Sequence, residues 1–84
     1  MTAAYDVAAA LGAAISTALD DADLTADLRV FVGGGGAPTV QVIATPERTP
    51  EAVEKIFVAL VAAKIPHVKR SRWGAVVYDE TIGA

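Results

Sequence analysis

The chain contains no cysteine and a single histidine, methionine and tryptophan. Without cysteine there is no disulfide, no thiolate-held zinc or iron–sulfur cluster and no thiol nucleophile. Long apolar runs are missing as well. The longest, Val7 to Ile15, is interrupted by Gly12 and made mostly of alanine, well short of the about 18 apolar residues of a membrane span. No basic stretch precedes it, so it does not read as a signal peptide, and the expected compartment is the cytoplasm of the producing cell. Positive charge is scarce too. Lys and Arg number 7 against 10 Asp and Glu, a net charge of −3, the wrong sign for a general binder of nucleic acid.

What remains is one small domain spanning 1–84, since the length is below that of a typical single domain. The hydrophobic fraction of 54% overstates the core, because 18 of those residues are alanine. Mean hydropathy of +0.44 argues against disorder. A domain this small with no covalent staple needs a dense core or a partner. Abundant Ala, Val, Gly, Asp and Arg with few Lys points to a GC-rich bacterial or phage genome.

Periodicity gives the order of elements. Val7, Leu11, Ile15 and Leu19 recur every four residues, with Ala8, Ala14 and Ala18 beside them, a first helix capped by Thr2 and stopped by Asp20-Asp21-Ala22-Asp23. Leu28, Val30 and Val32 alternate with Arg29 and Phe31, and Val40, Val42 and Ala44 alternate with Gln41, Ile43 and Thr45. The two stretches read as an antiparallel hairpin joined through Gly33–Gly36. Thr49-Pro50-Glu51 starts a second helix with a cap, a first-turn proline and an acid, and Glu51 and Lys55 are placed as a favourable pair. Its stripe is Val53, Ile56, Phe57, Leu60 and Val61; Lys64 suits its negative end and Pro66 forbids continuation. His67–Arg70 and Ala75–Asp79 form a second hairpin around Ser71-Arg72-Trp73-Gly74, with Gly74 free to take positive φ. The αββαββ order predicts an α+β two-layer sandwich, two helices on one face of a four-stranded, mainly antiparallel sheet. With Val30, Val32, Val40 and Val42 facing the helices, Phe31 and Ile43 face outward, joined by either Val77 or the pair Val76 and Tyr78.

No catalytic constellation emerges. His67, Ser71 and Asp79 have the residue types of a nucleophile triad, but His67 and Ser71 lie four apart in one strand, about 13 Å of rise. The acidic stretch from Asp20 to Asp27 fails as a calcium loop, since Ala26 and Val32 stand where Gly and Glu are needed. The four glycines precede a strand instead of a helix, so they do not form a phosphate loop. No metal or cofactor is expected. Residues 64–72 are the basic segment, carrying Lys64, Lys69, Arg70 and Arg72. Beside Trp73 they make a projecting hairpin suited to a solvated tip, to a protein contact, or to phosphates with a stacked base.

The layout resembles the bacteriophage tail-terminator and head–tail joining proteins. The shared features are the Ala/Leu-rich helix Val7–Leu19, the strand ending Phe31-Val32-Gly33, the helix opening Thr49-Pro50-Glu51-Ala52, and the late strand Val76-Val77-Tyr78. That resemblance implies a ring-forming virion component without catalytic residues. The expected function is a non-enzymatic protein-interaction or assembly module. Its contact residues are Phe31, Ile43, Lys69, Arg70, Arg72 and Trp73, and its partner is a protein or a second copy. The acidic first segment and the basic hairpin would orient a head-to-tail contact. The alternatives are a small phage or mobile-element inhibitor of a host protein, and a nucleic-acid accessory protein using the 69–72 hairpin.

Overall fold

The computed structural model describes residues 3–78, so the Thr2 cap and Asp79 lie outside the described residues. Among these, the order is α1 (Ala4–Asp21), β1 (Ala26–Val32), β2 (Pro38–Ala44), α2 (Pro50–Ala62), β3 (Val68–Ser71) and β4 (Gly74–Tyr78). The α+β two-layer arrangement predicted from periodicity is the one found.

Both helices close in the same way. After α1, Asp23 takes a left-handed φ of 57° and the Leu24 amide reaches the Leu19 carbonyl at 2.9 Å. After α2, Lys64 takes φ 62° and the Ile65 amide reaches the Leu60 carbonyl at 3.1 Å. Each closure satisfies a carbonyl that the last turn leaves open and brings a following apolar residue, Leu24 or Ile65, back against the core. The start of α2 is as the sequence implied: the Thr49 hydroxyl accepts from the Ala52 amide at 3.2 Å, with Pro50 in the first turn.

The four strands lie in the order β1-β2-β4-β3, every neighbouring pair antiparallel. β2 and β3 therefore run the same way, joined through α2, and β4 fills the place between them. On the inner face, α1 covers β1 and β2, while α2 covers β4, β3 and part of β2. Ile15, Leu19, Val40, Val42, Ile56, Leu60 and Val77 meet there as the core. Gly12 lets α1 approach closely, because a Cβ would stand 3.0 Å from a Val30 methyl.

Four details differ from the sequence reading. Val61 turns outward at 52% exposure, because α2 buries only a narrow stripe of Val53, Ile56 and Leu60. Val32 is likewise partly exposed, at 43%. His67 precedes β3 in a turn with φ 55°, so the strand begins at Val68. Gly74 has no positive φ; it is needed because a Cβ there would collide with the Val42 carbonyl oxygen of β2.

Leu60→Ala should therefore destabilise by about 2–5 kcal/mol, whereas Val61→Ala should stay within about 0.5 kcal/mol of the parent. Urea unfolding midpoints of the two variants check this. Equal midpoints would mean that α2 buries a different face.

Candidate functional site

Nothing among the described residues covers the sheet face opposite the helices. The register sets what it displays. Asp27, Arg29 and Phe31 of β1 lie beside Ile43, Gln41 and Thr39 of β2, which lie beside Gly74, Val76 and Tyr78 of β4. Lys69 and Ser71 of β3 complete the surface. Phe31 and Ile43 point outward as their phase against the inner valines requires, and Val76 and Tyr78 join them while Val77 is buried. Phe31 is 41% exposed. Tyr78 carries the His67 ring stacked at 5.8 Å between centroids, and the Lys69 ammonium stands 5.3 Å from its ring centre. Thr39 is the buried polar side chain of this face, its hydroxyl donating to the Ala37 carbonyl at 2.9 Å under the glycine turn.

The basic residues of the second hairpin do not form one patch. β-strand alternation places Lys69 on the uncovered face and Arg70 on the helix side. There the Arg70 guanidinium lies 4.5 Å from the Phe57 ring centre and 2.7 Å from a Glu54 carboxylate oxygen. Phe57 is thus a half-buried platform for Arg70 at the border of the core. Arg72 sits at the tip, its guanidinium 4.6 Å from the Trp73 ring centre.

Sequence reasoning missed Arg48, whose guanidinium lies 5.6 Å from the same Trp73 ring. The two are joined only by the pairing of β2 with β4, which carries the Trp73 carbonyl to within 2.8 Å of the Ala44 amide. No short-range signal marks such a contact. Trp73 remains 38% exposed between two guanidiniums, an amphipathic projection at the end of the sheet.

At that same end a cleft of about 540 Å³ opens between the α1–β1 turn and the start of α2, lined by Asp23, Thr25, Thr45, Glu47, Glu51 and Lys55 among others. The Thr25 hydroxyl donates to the Thr45 carbonyl across its floor. His67 stands at the far end of β3 from Ser71, so the triad residue types are not brought together. Among the described residues no group of three His, Asp or Glu side chains is placed to hold a metal, and no helix is long and apolar enough to cross a membrane. The glycine stretch forms a single turn over Gly34–Gly36, with Gly35 and Gly36 at φ 75° and 81°. No protein-family model matches the chain, and no curated protein or solved structure matches it.

With Lys69, Arg70 and Arg72 pointing to three sides, duplex and single-stranded oligonucleotides should leave the emission of Trp73, the only tryptophan, unchanged at physiological salt. A salt-sensitive, saturable change at sub-micromolar protein would reverse this expectation.

Proposed function

We propose that the chain is a non-catalytic protein-interaction and assembly module whose uncovered sheet face is buried against a second copy of itself. The observation that carries this is the set Phe31, Ile43, Val76 and Tyr78 on a surface that neither helix covers. An antiparallel sheet left in water alternates to polar residues on its wet side, whereas this one also sets Phe31, Ile43, Val76 and Tyr78 there. Arg29, Lys69, Gln41 and Asp27 lie among them, giving an apolar patch with polar neighbours, the composition of a recognition surface. Self-association also suits a core made of short side chains, because it adds buried apolar area that a domain of this size is short of.

The resemblance to tail-terminator and head–tail joining proteins is compatible with this reading. It makes the chain a ring-forming component of a phage particle, present in the producing cell and then in the virion.

Light scattering during gel filtration is the test, with the parent compared against the Ile43→Gln/Val76→Thr double variant at low and high salt. The parent is expected to be oligomeric at tens of micromolar. The double variant should lose mass while keeping its far-ultraviolet dichroism. A parent that is monomeric at every concentration and salt, or a double variant of unchanged mass, overturns the use of this face for self-assembly.

A further inference from the structure

We propose that β1 is itself a self-pairing strand. Two copies join edge to edge through antiparallel β1–β1 pairing centred on Leu28, making one continuous eight-stranded sheet. This contact runs along the rim of the sheet, and its charge pairs lie at the border of the uncovered face described above.

β1 is an outer strand, seven residues long, paired only with β2. It contains no proline, and no described element lies against its open side. The orientation of its backbone follows from two hydrogen bonds. The Gly33 amide bonds the Ala37 carbonyl across the first hairpin, and the Ala44 amide bonds the Trp73 carbonyl across β2 and β4. Strand alternation then turns the odd-numbered peptide groups of β1 toward β2. Those of Ala26, Leu28, Val30 and Val32 are left pointing outward. A long open row of donors and acceptors is what natural sheets normally blunt.

The side chains are self-complementary in one register. A two-fold axis at Leu28 sets the two Leu28 residues opposite each other as a hydrogen-bonded pair, and Ala26 opposite the partner's Val30. Asp27 then falls opposite the partner's Arg29, and Arg29 opposite the partner's Asp27, in the closer, non-hydrogen-bonded positions. Within the chain, neither Asp27 nor Arg29 has an ion pair among the described residues. A slip of one residue in the pairing sum would destroy both charge pairs and put inner side chains on the outer face.

The helix layer accommodates the same axis. α1 lies over β1 and β2, so the axis sets the two α1 helices about two strand spacings apart, roughly 9–10 Å. Closely packed helices stand about 8–10 Å apart when the side chains between them are small. The flank of α1 beside the β1 edge is identified by a small recess in which Ser16 and Asp20 meet Ala26 and Leu28. Helical spacing puts Ala9 and Ala13 on that flank with Ser16, and all three are exposed. Bulky residues there would hold the two sheets apart.

The experiment is sedimentation velocity in low salt, carried out in the Ile43→Gln/Val76→Thr background, which weakens the uncovered face without adding a charge beside Asp27. This background protein should sediment as a dimer. Asp27→Arg and Arg29→Asp should each weaken the dimer at least tenfold, the combined Asp27→Arg/Arg29→Asp swap should restore it, and an equimolar mixture of the two single variants should form the dimer again. Dichroism and thermal melting establish that every variant is folded. A monomeric background protein, indifference to the single changes, or a swap no better than either single change each overturns the edge pairing. A background that stays dimeric and ignores the β1 changes counts against the edge alone, whereas a background of unchanged mass counts against the face.

Discussion

The burial of β2 is the constraint on which the rest of the architecture rests. Pro38, Thr39, Val40, Val42 and Ala44 are all buried in this one strand, which is flanked on both sides and covered by both helices. It is where the two halves of the chain meet: β1 and α1 approach it from one side, β4 and α2 from the other. Short valine and alanine side chains keep the layers close. The same economy of volume requires Gly12 where α1 descends on Val30, and Gly74 where β4 crosses the Val42 carbonyl. Interiors packed at crystal-like density have no slack to absorb an extra methyl at such points.

Much of this was legible in the chain because local signals and burial agree. The Thr49-Pro50-Glu51 start and the Pro66 stop bracket α2, and the phase of Phe31 and Ile43 against their valine neighbours is enough to place them on the outer face. The alternatives for the last strand were settled by pairing, since only the Val40–Val77 register buries Val77 and turns Val76 and Tyr78 outward. What could not be read was whatever depends on strands far apart in sequence. Arg48 reaches Trp73, and Arg70 leaves its neighbours for Glu54 and Phe57, because of strand order and the two-residue period of β3. The left-handed closures at Asp23 and Lys64 were also invisible, because glycine is the usual mark of that conformation and neither helix ends in one.

The surface divides by face and by end. The helix side of β3 carries an exposed ion pair and a cation over Phe57, contacts that trim the border of the core and add little net stability in water. The end of the sheet at Trp73 combines two guanidiniums with an acidic cleft, so opposite charges stand beside each other instead of at opposite poles.

The position of β4 bears on how the chain is made. It is the last described strand in sequence yet occupies an interior place in the sheet, between β2 and β3. Each hairpin can close from neighbours in sequence, but the β2–β4 pairing must join residues 31 to 39 positions apart across a complete helix. During synthesis from the N-terminus, α1 and the first hairpin emerge with both edges of their sheet open, and the β4-facing edge of β2 stays unpaired until Gly74–Tyr78 leave the ribosome. The nascent chain thus passes through an interval in which its most buried strand is its most adhesive one. Its open edge then offers the row of donors and acceptors that β4 later takes up, the row along which a like chain can pair.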